Sequence, residues 1–372
     1  MRKILLGTTA VVGAALLGVS VAQAQTAPTV RVGGYFDFTG AYVDDSRETG
    51  DTDSIDFRTD TEISVIVRGK AANGLSYGSE IEIQVDGQGA GSTVMDLDEL
   101  WGFVSSPTLG TLQFGDQDSA ADQLKVSLPT VTGHGPSGIW DDLVASNQYL
   151  NSTINDGNDA SKIIYLSPQF FGFDFGVSFA PNTYQGESQF STGSNLQRQE
   201  NQGNIRNEIS GAIRYRGSFG NIGVAVAFSA MTGDAPSSAP SNFQDPNAYQ
   251  IGVNVSGYGL TVGGHYLWGK YAAGSFGRTG LANGLENSTS ANIGATYRIG
   301  AVSLGAFYAI GTADRGTNLS DSEQTVIGVG AVYTLAPGLE LYANYHNVDS
   351  QWVQGIESRD INTFVIGSRL AF

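Results

Sequence analysis

Along most of the chain, apolar and polar residues take turns one by one. Val30, Val32, Gly34, Phe36 and Phe38 fall on one side of an extended segment, and Arg31, Gly33, Tyr35, Asp37 and Thr39 on the other. Successive side chains of a strand point to opposite faces, so this spacing predicts a two-faced strand. The pattern returns with Ile63, Val65 and Val67 against Glu62, Ser64 and Arg68, and with Ile81, Ile83 and Val85 against Glu80, Glu82, Gln84 and Asp86. It returns again with Ile209, Gly211, Ile213 and Tyr215 against Glu208, Ser210, Arg214 and Arg216, and with Leu339, Leu341, Ala343 and Tyr345 against Glu340, Tyr342, Asn344 and His346. Sixteen such strands are predicted: 29–43, 55–70, 74–86, 94–106, 110–118, 160–170, 172–181, 206–217, 221–231, 247–257, 259–271, 288–299, 301–313, 322–335, 338–349 and 359–372. No apolar run long enough for a membrane helix follows the first two dozen residues, which excludes a helical membrane protein.

The links between these strands alternate in length. Those at 71–74, 107–110, 170–172, 217–220, 257–259, 299–300 and 336–338 are short. Those at 44–54, 87–93, 117–158, 182–205, 233–245, 272–286, 316–321 and 350–358 are longer and polar. An even number of two-faced strands with short turns at one end and long loops at the other describes a transmembrane β-barrel, and no soluble β-sandwich requires it. All ten prolines fall at strand ends, turns or loops, where a missing N–H does not interrupt a ladder. Aromatic residues gather near strand ends: Tyr42, Trp268, Tyr271, Tyr308 and Trp352 at the outer end, and Phe170, Phe173, Tyr215, Tyr258, Tyr297, Tyr333 and Phe372 at the periplasmic end. Two aromatic girdles are expected of such a barrel.

One stretch breaks the rhythm. Residues 117–158 sustain neither a strand nor a helix period. A long irregular insert in an ordered domain is usually functional, and this one is expected to fold into the lumen and narrow it. Within it, Asp141 and Asp142 follow Trp140 at the start of DDLVASNQYL, where they would also suit the first turn of a short helix.

The chain begins with Arg2 and Lys3, an apolar stretch from Ile4 to Val21, and the small-residue pattern Ala22-Gln23-Ala24. This reads as a cleaved secretory signal over 1–24, leaving 25–372 as the barrel. Fifty glycines, 16 tyrosines and 18 phenylalanines with only 15% charged residues suit many short strands and tight turns. There is no cysteine, so disulfides and thiolate chemistry are excluded. Without Arg2 and Lys3, 17 basic residues face 36 acidic ones, a net charge of −19 that repels nucleic acid and favours cations.

Other chemistries leave weak traces. Gly133-His-Gly-Pro-Ser-Gly138 has the spacing of a dinucleotide cradle but neither the strand before it nor the helix within it that such a cradle needs. His134, His265 and His346 are scattered, none with a second histidine at ligand spacing. His134 is expected to line the loop and the other two to belong to the wall. The acids Asp44, Asp45, Asp51, Asp53 and Asp56 of the first loop, or those of the third, could hold a structural Ca²⁺ through carboxylate oxygens, though without the EF-hand spacing; no other cofactor is expected. A rim hydrolase would need a nucleophile signature that is absent here.

The strand Val30-Arg-Val-Gly-Gly-Tyr-Phe36, the pair Glu99-Leu-Trp-Gly-Phe-Val-Ser105 and Leu109-Gly-Thr-Leu-Gln-Phe-Gly-Asp-Gln117, the long third loop and the terminal Phe364-Val-Ile-Gly-Ser-Arg-Leu-Ala-Phe372 resemble the general trimeric porins of Gram-negative outer membranes, most of all the alphaproteobacterial type. The resemblance spans the mature chain, and each motif alone is loose. It implies a 16-stranded antiparallel barrel in the outer membrane, contacting lipid and lipopolysaccharide. It also implies a homotrimer packed through the glycine-containing first strands, and recognition of the terminal aromatic residue for insertion. The third loop would form an eyelet of loop acids facing wall bases. On this sequence the acids are Asp118, Asp122, Asp141 and Asp142, with Asp116 just before them and Glu99 on the fourth strand; the bases are Arg31, Arg58, Arg68 and Arg369, with Lys125 in the loop itself. The three wall arginines of the first two strands could equally serve lumenal acids such as Asp37, Asp56 or Glu82. Glu99 and Asp116 stand near places where the enterobacterial pattern has arginines, which tilts the expected channel for ions and small hydrophilic solutes towards cations. A channel selective for sugars or other small nutrients is the alternative.

Overall fold

In the computed structural model, residues 26–47, 53–86, 94–144, 152–154, 159–183, 205–235, 244–271, 287–316, 319–353 and 356–372 are described. The leader expected at 1–24, residues 48–52 of the first loop and residues 145–151 and 155–158 of the third lie outside them.

Sixteen strands follow in order: β1 Thr26–Asp45, β2 Ile55–Lys70, β3 Ser76–Asp86, β4 Val94–Ser106, β5 Gly110–Asp116, β6 Ser161–Leu166, β7 Phe173–Asn182, β8 Arg206–Phe219, β9 Ile222–Asp234, β10 Asn247–Gly257, β11 Leu260–Lys270, β12 Ser288–Ile299, β13 Val302–Ala313, β14 Ser322–Ala336, β15 Leu339–Val353 and β16 Ile356–Ala371. Each pairs with its sequence neighbours, and β1 pairs with β16 to close the barrel. Closure leaves no free strand edge, as a membrane-spanning sheet requires. The seam is antiparallel from Tyr35↔Ala371 to Asp45↔Ile361. It is finished by Phe372, whose N–H donates to Gly34 O at 3.0 Å and whose carbonyl accepts from Gly34 N at 3.2 Å.

The seven short turns share one device. Gly74, Gly110, Gly172, Gly220, Gly259, Gly300 and Gly338 all have φ between 59° and 93°, a region that a residue with a Cβ enters at a cost. These glycines are why the turns can be tight, and all seven stand at the same end of the barrel.

Alternation maps onto two faces as expected. On β7, Phe173, Phe175, Val177 and Phe179 are exposed on the outside while Asp174, Ser178 and Asn182 are buried within. Two expectations need correction. Tyr271 is buried in a cluster with Leu267 and Met231, so it belongs to the interior and not to the outer girdle. The 350–358 link is mostly strand: Gln351 pairs with Ser358 and Val353 with Ile356, because the alternation of Gln351-Trp-Val353 continues the β15 ladder.

The inner face is not uniformly polar. Val43, Phe307, Ala309, Val326, Val348 and Ile361 point inward from β1 and β13–β16 and bury Leu128, Trp140 and Val144 of the third loop. Met231, Ala248 and Leu267 do the same for Ala121 and Ile154. These inward apolar patches are the seat of the third loop.

Candidate functional site: a loop seated on the inner wall

The third loop leaves β5 and forms two short helices, α1 Ala120–Leu124 and α2 Ile139–Asp142. Ser119 caps α1 by accepting from Asp122 N at 3.3 Å. The single turn of α2 holds Asp141 and Asp142, as expected of a first turn, but it opens two residues earlier than they do, after Gly138. Trp140 is fully buried, and its Nε1 donates to Pro136 O at 3.0 Å.

Polar side chains of the strands hold this segment through its backbone. Ser178 on β7 accepts from Ala120 N at 3.1 Å, and Ser229 on β9 donates to Ala121 O at 3.1 Å. Gln250 on β10 accepts from Ile154 N at 2.8 Å and donates to Val126 O at 3.3 Å. Asn254 donates to Ser127 O at 2.9 Å, and Asn344 on β15 donates to Thr132 O at 3.1 Å. His265 on β11 clasps both limbs: Nδ1 accepts from Leu128 N at 3.0 Å and Nε2 donates to Ser152 O at 2.7 Å. The Leu128 bond fixes the tautomer, leaving the ring proton on Nε2. Gly252 lets the loop come this close, since a Cβ there would lie 1.7 Å from Val126 O.

The candidate residues divide into groups. Arg58 and Asp142 meet at 2.5 Å, bringing the wall of β2 and the loop together, with Asp60 also 4.0 Å from Arg58. Asp122 and Lys125 pair with each other within the loop. Arg68 faces Glu80 at 2.8 Å and lies over the Phe103 ring at 4.9 Å, so its partner is neither the loop nor Glu82. Arg369 stacks on Tyr35 at 3.8 Å. Arg31 is exposed near the periplasmic start of β1, opposite Ile66 and apart from the others. Asp116 accepts from Ser161, and Glu99 accepts from Trp101 Nε1 at 2.8 Å. Asp118 lies with Glu99 and Asp159, their carboxylate oxygens within 4.8 Å of one another. Asp141 is buried; desolvation, then the neighbouring Asp142 charge, push its pKa up to about 7.

Next to the seat along the barrel, β2–β4 and the neighbouring part of β1 present a mixed but acidic surface. Strand register places Asp37 beside Asp60 and Arg369, Ser64 beside Glu82, and Arg58 beside Thr39. A second carboxylate group, Glu62, Glu82 and Asp98, lies within 4.8 Å. Asp37, Asp60, Glu62, Glu80, Glu82, Asp98 and Glu99 thus outnumber Arg58 and Arg68 on this wall, even with Arg369 of the adjoining β16 counted in. Asp45 of the first loop, one of the acids considered for Ca²⁺, is taken up instead by a buried pair with Arg359 that ties β16 to β1. His134 turns back on Val131 in a tight bend, N to O 3.0 Å, with Gly133 at φ 67°, and no strand leads into it; the dinucleotide-like spacing is a loop bend.

Sequence reasoning missed the anchoring roles of Gln250, Asn254, His265 and Asn292, the last donating to Ser152 O at 3.0 Å, and the cluster in which Asp174 receives Arg214 at 2.9 Å and Arg216 at 2.7 Å. Their signal was present only as polar residues in the inward register of a strand, which a water-filled lumen would require equally.

A closed sixteen-stranded barrel with an apolar outer belt, glycine turns at one end and a long loop fastened to its inner wall defines an outer-membrane channel barrel. The chain matches the family model for Gram-negative porins over residues 7–351 and belongs to that family. No curated protein matches it in sequence. Among solved structures it is similar to the anion-selective porin from Comamonas acidovorans, at 17% identity and TM-score 0.65 over 93% of this chain and 100% of that one. It is also similar to a loop L8 deletion mutant of OmpT, an outer membrane protein of Vibrio cholerae, at 15% identity, TM-score 0.62, over 93% and 100%. A double alanine mutant of the Rh. blastica porin aligns at 15% identity and TM-score 0.58 over 92% and 100%. Identities this low show a shared fold.

Proposed function

We propose that this porin is a passive diffusion channel for ions and small hydrophilic solutes that prefers cations, works as a homotrimer and has no enzymatic activity. Residues 117–158 are its constriction loop, and the gap lies beside the Arg58–Asp142 bridge, between the loop and the acidic inner wall of β2–β4. The carrying observation is the surplus of carboxylates over arginines on that wall, opposite a loop whose Lys125 is already matched by Asp122. Opposed charges across a narrow aqueous gap orient solutes without a tight site, and an excess of one sign concentrates the counter-ion. The anion-selective relative from Comamonas acidovorans shows that the fold by itself carries no sign. Purified protein in planar bilayers under a KCl gradient should give a reversal potential of the cation-selective sign; an anion-selective sign refutes the preference. Insertion events with three equal conductance steps test the trimer.

A solute-selective channel has one observation in its favour. A cavity of about 460 Å³ beneath the loop is lined by the hydroxyls of Thr130, Thr132, Ser256, Thr261, Thr296 and Ser303. Liposome swelling with sugars of graded size decides: entry limited by size alone supports general diffusion, and one favoured sugar supports selectivity.

A further inference from the structure

Where the third loop turns at His134, it enters a slot in the wall. Gly305 on β13 and Gly328 and Gly330 on β14 are inward positions without side chains. A Cβ on Gly328 would stand 2.9 Å from His134 Nε2, and one on Gly330 would stand 3.0 Å from Val131 and 3.2 Å from the His134 ring. Three glycines therefore make room for two loop residues. The floor of the slot is His346 on β15, whose ring centroid lies 5.5 Å from that of His134. Phe307 on β13 closes the side, 4.6 Å from His134 and 6.0 Å from His346.

Both rings are buried, His134 at 4% exposure and His346 at 0%; none of their four nitrogens makes a well-formed hydrogen bond, and the polar group closest to serving His134 is the Gly328 backbone, which offsets only part of the burial. The hydroxyl of Thr363, in register with His346 on β16, is likewise unpartnered. A neutral imidazole carries one N–H, and burying it unpaired is unfavourable; a charged imidazolium in the same place is far worse. Burial accordingly lowers the pKa of His134. The other groups packed here supply no counter-charge: β13 offers Phe307, β14 its glycines and β16 Thr363. The nearest charged groups have their own partners or positions. Glu340 on β15 accepts from Thr132 at 2.8 Å, and on α2 Asp142 is held by Arg58 while Asp141 lies beside it. If both rings take up a proton, two cations confront each other across this gap.

We propose that His134 and His346 form an acid-released catch: neutral, they let the third loop lie in the glycine slot, and protonated they drive residues 131–138 off the wall into the lumen. The seated loop lies against β13–β16, so its release narrows the channel, and acidification lowers open-channel conductance. This rests on the third loop being the constriction, and two readouts separate the catch from that reading.

The first is hydrogen exchange of wild-type protein in detergent micelles at pH 7.5 and 4.5, corrected for the intrinsic pH dependence of exchange. The catch predicts loss of protection in peptides covering 131–138 at the acid pH while β13–β16 stay protected. The second is single-channel conductance over the same range for wild type and His346→Gln, which cannot take up the proton. Wild type should lose conductance as the pH falls, and the variant should match it at pH 7.5 and lose most of that response. Unchanged protection of 131–138 at pH 4.5 overturns the proposal, as does a loss of conductance on acidification that is as large in the variant as in wild type. Should His346→Gln fail to fold, the wild-type exchange result decides alone. Release on acidification without any conductance change would uphold the catch and refute the constriction.

Discussion

His265 offers the sharpest test of how the loop is held. Replacing it with leucine puts an apolar side chain of comparable bulk on β11 and removes both ring nitrogens. The Leu128 N–H, buried at the wall, then loses its acceptor, which was 3.0 Å away. An orphaned buried N–H costs about 1–3 kcal/mol. The lost bond from Nε2 to Ser152 O adds about 1 kcal/mol, since that carbonyl keeps Asn292 Nδ2 at 3.0 Å. The docked loop should therefore be weakened by about 2–4 kcal/mol, roughly 30- to 700-fold in the ratio of docked to released segment. Amide exchange resolved by residue in micelles measures this. Leu128 itself will exchange faster for the trivial reason that it has lost its partner. The informative amide is Ile154, which donates to Gln250 at 2.8 Å and keeps that bond in the variant. Its exchange should accelerate with that of Ala120 if the segment leaves as a unit, because local opening sets exchange rates. Acceleration confined to Leu128 would refute the view that His265 clasps two limbs of one docked body.

Further outcomes follow from other contacts. Arg58→Ala removes a partly exposed cation whose partner Asp142 is about half exposed, so stability should change by only about 1 kcal/mol, yet the reversal potential in a KCl gradient should shift further towards cation selectivity. Asp141, with its pKa pushed up to about 7, binds its proton more tightly folded than unfolded. Its charge is no burden below about pH 4, the ordinary carboxylate range, and destabilises progressively as the pH rises to about 7. The thermal midpoint of wild type should fall relative to Asp141→Asn between pH 4 and 8, and parallel midpoints would refute the raised pKa. Asp45→Ala removes the carboxylate that Nε and Nη2 of the buried Arg359 both reach across the seam. Losing a hydrogen bond to a charged group costs about 1.5–3 kcal/mol, read as a lower heat-unfolding temperature on gels.

Much of the architecture could be read before any coordinates. Val30, Val32, Phe36 and Phe38 alternate with Arg31, Tyr35, Asp37 and Thr39, and each parity becomes one face of β1. The turn glycines stand at the ends of apolar runs, where local sterics alone mark them. The docking of the third loop was only partly legible: its lack of period was visible, its seat was not. Phe307, Val326, Val348 and Ile361 occupy inward positions of strands far apart in sequence, and they become one patch only when β13–β16 and β1 lie side by side. The Arg58 pairing was similarly open, since Asp37, Asp56 and Asp142 were equally reasonable partners on composition.

Sequence by itself determined the strands, their two faces, the tight turns and the surplus of negative charge, because each depends on neighbours one or two residues away or on a simple sum. The tertiary structure alone decided which side of the lumen carries the loop, that His265 grips it, that His134 enters a glycine slot against His346, and that Asp142 meets Arg58. Those contacts join residues separated by 84 or more positions. A period-two pattern says which way a side chain points but not what stands opposite it, and closure of the barrel is what brings the opposite wall into reach.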